Sequence, residues 1–180
     1  MNEYVKLARL AIETYIKTGE KIEVPKNLPE EFFNCQKGVF VTIYKKNDTG
    51  SEKQLRGCIG TFAPIKENIA QEIIDNAISS ATNDYRFNPV IEKDLNNLSY
   101  EVSLLNPPEQ IDSTKDLDAK KYGVIVKSQD GKTGLLLPDI EGVRSPEHQI
   151  EIACQKAGIN LDEKKIELFR FTVSKYNLAS

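Results

Sequence analysis

A cation, a thiol and two glycines stand within five residues of one another in "LRGCIGTF", Leu55 to Phe62. A strand that only filled a core would not choose this composition. Glycine weakens a strand and packs nothing, and arginine is rarely buried without a partner. Side chains alternate along a strand, so Leu55, Gly57, Ile59 and Thr61 share one face and Arg56, Cys58, Gly60 and Phe62 the other. At about 3.3 Å per residue, Arg56 and Cys58 then project side by side, about 6.6 Å apart. A guanidinium that near favours the thiolate over the thiol. Glycines on both sides of Cys58 let a backbone or a ligand approach closely. The chemistry suggested is an exposed, activated thiol or an anion-holding notch. The plainer alternative is a small buried hydrophobe beside an arginine that pairs with a carboxylate, with glycines present because a helix crosses the strand closely. Scarcity gives Arg56 some weight: the chain has nineteen lysines and five arginines, and the planar guanidinium fork is not interchangeable with an ammonium.

Two further stretches place charge among apolar residues. In "NDYRFNPV", Arg86 lies between Tyr85 and Phe87, with Asp84 two residues before it. That pair is either a helix-end lock or a second cation and carboxylate brought to the same cleft as Arg56. In "SYEVSLLNPPE", Glu101 falls opposite Tyr100, Val102 and Leu104 on a strand, as a salt-bridge partner for a buried arginine, with Arg56 the candidate, or as a base. The single histidine, His148, opens a helix, where a solvated position is expected, and any Cys–His dyad would have to use it. No phosphate loop, paired-cysteine metal motif or dinucleotide fingerprint occurs. With one histidine, no His-rich metal site is expected, and no cofactor.

These residues need elements to hold them. Tyr4, Leu7, Ala8, Ala11, Tyr15 and Ile16 follow a helical stripe over residues 2–18, with Asn2 as cap and Gly19 as stop. The aromatics of "EEFFNC" should plug a gap. "GVFVTIYKK" is β-rich, "NDTG" signals a turn, and "QLRGCIGTF" returns as the antiparallel partner, ended by Pro64. "IKENIAQEIIDNAISSATND" carries apolar residues at three- and four-residue spacing, a second helix. "LSYEVSLL" is a strand stopped by Pro107 and Pro108, and "YGVIVKSQDGKTGLLLP" a hairpin around "DGK". A third helix covers "EHQIEIACQKAG", closed by Gly158, and "IELFRFTVSKYNL" ends the chain as one strand. Three helices and about six mostly hairpin-linked strands predict an α+β fold with a mostly antiparallel sheet and flanking helices.

Length and charge narrow the classes. At 180 residues the chain is one domain or one domain with two lobes, large enough to bury a core without staples. A net charge of −3 gives no electrostatic footprint for bulk nucleic-acid binding, so nucleic acid is a weak option only. No apolar run reaches the roughly 18 residues a membrane helix needs, and "MNEYVKLARL" does not read as a secretory signal. Cys35, Cys58 and Cys154 are an odd number at wide spacing, the pattern of reduced thiols in a cytoplasmic setting.

Taken in order, "LRGCIGTF", "DYRFNPV", "EVSLLNPPE", "GLLLP" and "QKAGI" resemble the AMMECR domain family, whose prokaryotic members are called AmmeMemoRadiSam system protein A. The resemblance covers about residues 4–175 and rests above all on the hexapeptide "LRGCIG". It implies a single domain over 1–180, a larger lobe from both chain ends and a smaller lobe around the middle, with the hexapeptide lining a cleft between them. It also implies a Memo-like protein and a radical S-adenosylmethionine enzyme as partners. Carried over by motif, Leu55, Arg56, Gly57, Cys58, Ile59, Gly60, Asp84, Arg86, Phe87, Pro89 and Glu101 become the site candidates; His148 matches no motif. Two expectations follow. In the enzymatic one, Cys58 attacks a small anionic or modified substrate, Glu101 is acid or base, and Arg86 holds negative charge. In the other, the notch binds a nucleotide, a modified base or a peptide end without bond making.

Overall fold

Apolar spacing brings one face of Glu3–Thr18 (α1) under cover, where Tyr4, Val5, Leu7, Ala8, Ala11 and Ile12 are buried. Asn2 caps it by accepting the Tyr4 N–H at 2.9 Å. Gly19, at φ 75°, turns the chain out of the helix, a left-handed backbone that favours glycine. The computed structural model from which this is read describes residues 2–46, 53–160 and 166–177. A four-residue helix, Glu31–Asn34 (α2), was not expected from the sequence. It seats the fully buried Phe32 on Tyr4, ring centroids 4.6 Å apart.

Strand Gly38–Lys46 (β1) pairs antiparallel with Lys53–Thr61 (β2); the turn expected at "NDTG" lies outside the described residues. The second long helix is Ile69–Thr82 (α3), shorter than its periodicity suggests. Its start is set by Asn68, whose side chain accepts the Gln71 N–H at 3.0 Å, as an N-cap does. Then come Leu98–Leu105 (β3), Glu109–Ile111 (β4), Gly123–Ser128 (β5), Thr133–Leu136 (β6), Pro146–Ala157 (α4), Ile166–Phe171 (β7) and Val173–Tyr176 (β8).

The closing stretch is therefore two strands, not the single one expected. The break at Thr172 hands the chain from one sheet to the other: β7 belongs to a sheet ordered β4-β7-β5-β6, β8 to one ordered β2-β1-β3-β8. The fold is α+β. The chain forms two compact units, Met1–Leu104 with Ser174–Ser180, and Leu105–Val173.

In the first unit, Val39, Val41 and Ile43 of β1 and Tyr100, Val102 and Leu104 of β3 are buried with α1 and with Ile69, Ile73, Ile74 and Ala77 of α3. Each valine, leucine and isoleucine among them contributes about 1.5–3 kcal/mol by leaving water. In the second unit, Val124 and Val126 of β5, Leu136 of β6 and Ile150, Ala153 and Cys154 of α4 form the core. A side chain at Gly134 would strike the Ala153 carbonyl, so β6 and α4 need a glycine to pack this closely. The ends of this unit are tied together. The Asn106 N–H donates to the Thr172 carbonyl at 3.0 Å, and the Asn106 amide to the Thr172 hydroxyl at 2.8 Å. Among the described residues no helix is long and apolar enough to cross a membrane.

Candidate functional site

The ladder between β1 and β2 runs Thr42↔Cys58 and Ile43↔Gly57, then slips, so that Tyr44 stands opposite Leu55. Arg56 is the extra residue at this irregularity, and a bulge re-aims the side chain it carries. Its Nη2 donates to the Pro89 carbonyl at 3.2 Å and lies 3.6 Å from the carboxylate of Asp94, in the 3-10 turn Glu92–Asn97. Two expectations are corrected here. The carboxylate of Arg56 is Asp94, not Glu101, and Arg56 is not among the groups that set the charge of Cys58.

Cys58 is half-buried. Burial pushes its thiol above the ordinary value; the Thr42 hydroxyl and the Arg86 guanidinium pull it down without cancelling that, and Asp84 and Glu101 push it further up. The Thr42 hydroxyl donates to Sγ at 3.3 Å. A thiol so placed stays protonated at neutral pH.

The strand is held by a row of polar side chains that the sequence reading passed over. Glu72, Asn76 and Ser80 recur every four residues on α3 and are buried, and Asp84 continues the spacing beyond the helix end. Glu72 accepts the Thr61 hydroxyl at 2.5 Å and the N–H groups of Ile65 and Lys66 at 2.9 and 2.8 Å. Asn76 donates to the Val39 carbonyl at 3.1 Å. Ser80 Oγ accepts the Ile59 N–H at 2.8 Å and donates to the Val41 carbonyl at 2.7 Å, so a helix hydroxyl stands in the ladder where Val41 and Ile59 face each other. Side chains four apart on a helix share one face, and the four-residue recurrence of Glu72, Asn76, Ser80 and Asp84 was the signal available.

Asp84 completes the row. It accepts the Cys58 N–H at 2.9 Å and grips Arg86 with both oxygens, Nε to Oδ1 at 2.9 Å and Nη2 to Oδ2 at 2.7 Å. Its side chain is only 4% exposed, that of Arg86 44%. The guanidinium holds the Asp84 carboxyl well below the usual carboxylate range, helped by the Cys58 and Arg86 N–H groups and opposed by burial. Arg86 Nη2 also donates to the Cys58 carbonyl at 3.3 Å, and its guanidinium lies 5.4 Å from the Phe87 ring centroid. The helix-end lock is the reading of Asp84–Arg86 that these bonds support, with the lock fastened to the backbone of Cys58.

The remaining candidates divide. A Cβ at Gly57 would strike the Ser80 carbonyl, so that glycine admits the helix; one at Gly60 would strike the Phe40 ring and the Val39 carbonyl. Gly60 is therefore filled by its neighbouring strand, and neither glycine is left open for a ligand by its missing side chain. Ile59 is half-buried and Leu55 exposed. Glu101 is half-buried, close enough to Cys58 and Tyr44 to push both upward, and has no ion-pair partner among the described residues. His148 is exposed in the first turn of α4. No group of three or more metal-ligating side chains occurs among the described residues.

This geometry has relatives. The family model described as AMMECR1 matches residues 5–176. A protein of Thermotoga maritima is 47% identical over 173 residues, covering 96% of each chain. A Clostridium acetobutylicum protein is 46% identical over 174 residues, but the chain spans only 36% of its length. The solved structure of an uncharacterized protein from Pyrococcus horikoshii superposes with a TM-score of 0.82 at 38% identity, covering 96% of this chain and 88% of that one.

Proposed function

The chain belongs to the AMMECR1 family, and we propose that it works as a binding module in which Arg86 holds a carboxylate or phosphate group of a small ligand beside Cys58. One observation carries this reading. Asp84 and the Cys58 carbonyl occupy Nε and Nη2 of Arg86, and both N–H groups of Nη1 are unclaimed among the described residues, on a side chain 44% exposed. A guanidinium fixed in this way loses little freedom when it meets a ligand. Because Asp84 balances its charge, recognition comes from directed donors more than from net charge. Tyr85, 96% exposed between the two, adds an aromatic surface for the same ligand.

Thiol catalysis is the second reading, with Arg86 and Thr42 both favouring the thiolate. Burial outweighs them, so Cys58 serves here as a neutral lining thiol. A Memo-like protein and a radical S-adenosylmethionine enzyme are the partners in this reading, in a cytoplasmic setting; the family resemblance is their support. The test is a titration of the chain with inorganic phosphate and with acetate, followed by amide NMR. Saturable shifts at Cys58, Tyr85 and Arg86 are expected, surviving in Cys58→Ser and lost in Arg86→Gln. Shifts absent from the wild type, or abolished by Cys58→Ser and kept by Arg86→Gln, would overturn the reading.

A further inference from the structure

The second unit contains a hollow of about 550 Å³ that has no part in the arrangement around Cys58. Its size falls among small-molecule sites, roughly 300–1,000 Å³. Pro107, Pro108, Tyr122 and Phe171 give it apolar walls, and Glu109 and Arg170 give it charge. Strand register explains the pair: Glu109 of β4 stands directly across from Arg170 of β7.

Arg170 is held at all three of its side-chain nitrogens. Its Nε and Nη2 donate to Glu109 Oε2, each at 3.1 Å, and its Nη1 to the Asp116 carbonyl at 2.9 Å. Its guanidinium lies 4.6 Å from the Tyr122 ring centroid, a stacking distance for a planar cation. Three of the five guanidinium N–H groups are thereby used, which leaves two unclaimed among the described residues. Both Arg170 bonds to Glu109 fall on Oε2, so Oε1 remains an open acceptor on a side chain 69% exposed. The wall thus offers a donor beside an acceptor, with an aromatic ring behind them.

We propose that this hollow is a second ligand site, taking a planar group whose edge carries an acceptor next to a donor, the pattern of a carboxamide or of a nucleobase edge. The acceptor meets Arg170 and the donor meets Glu109 Oε1. The ring of the ligand rests among the prolines, Tyr122 and Phe171. A simple carboxylate is the wrong occupant, because it has no donor for Glu109 and brings a second negative charge to it.

The probe is benzamide, with benzoate as the matched anion, titrated into the full chain and followed by amide NMR. Saturable shifts centred on Tyr122, Gly123, Arg170 and Phe171 are expected with benzamide, and weaker binding with benzoate. Arg170→Lys should weaken benzamide by about tenfold, the loss of one charge-assisted hydrogen bond. Glu109→Ala, at an exposed position, should reverse the preference in favour of benzoate, and it carries the test if Arg170→Lys fails to fold. No saturable benzamide binding, equal binding of benzoate in the wild type, or an unchanged preference in Glu109→Ala would overturn the proposal.

Discussion

Arg86 in the first unit and Arg170 in the second are each gripped by one carboxylate and lie against one aromatic ring. Their carboxylates differ. Asp84 has 4% of its side chain exposed and also holds the backbone of β2 at Cys58, whereas Glu109 is 69% exposed and, among the described residues, its side chain holds Arg170 alone. The same pair of groups therefore serves two ends. Where the carboxylate is buried it is part of the framework, because removing it strands an amide inside the protein. Where it is solvated, water replaces it readily, and it is free to serve recognition. Burial of the acid, more than distance to the base, separates a lock from a handle.

The largest expected effect tests that separation directly. Asp84→Ala should cost about 3 kcal/mol of stability, the loss of charged hydrogen bonds plus an unpaired Cys58 N–H. Glu109→Ala should cost under about 1 kcal/mol, as exposed pairs do. Urea unfolding of the two variants at neutral pH compares them, and equal costs would break the contrast. Next, Gly57→Ala should cost about 1–3 kcal/mol by overpacking, since its methyl group meets the Ser80 carbonyl of α3; an unaffected midpoint would show that α3 gives way.

Acid sharpens the comparison further. Asp84 is held below the ordinary carboxylate value by Arg86, so its contribution is complete above about pH 4 and is lost as pH falls through the lower folded value. Asp84→Asn should flatten the fall in stability below about pH 4, measured by denaturant midpoints across pH. The smallest effect concerns rates alone. With iodoacetamide at neutral pH, exposed Cys35 should be alkylated first. Cys58, half-buried and with its thiol pushed up, should follow slowly, and buried Cys154 last. Mass mapping of the alkylated peptides gives the order, and Cys58 reacting first would restore the activated-thiol reading.

What the sequence reveals here depends on how far a residue's cause lies from it along the chain. Asn2 and Gly19 bracket α1 because caps act within a few residues, and β1 is bounded as its β-branched run suggests. Asp84 and Arg86, two apart, can also be read as a pair. Arg56 cannot, because the bulge that re-aims it is a property of two strands together, and its partner Asp94 comes from a distant turn. Alternation alone had placed it beside Cys58. Buried Glu72 escaped for a related reason: a charged residue on a helix reads as solvated until Thr61, Ile65 and Lys66 are seen to converge on it. The break at Thr172 is likewise invisible in a continuous β-rich run.

That break has a consequence for how the molecule is assembled. Since β3 and β8 are neighbours in one sheet and Asn106 is fastened to Thr172, residues 106–172 amount to one long connection between adjoining strands, with a core of its own. Closing a loop grows costlier only with the logarithm of its length, about 0.6 kcal/mol per doubling. The host sheet thus tolerates so large a passenger, and replacing that passenger with a short turn should leave a sheet of the same strand order.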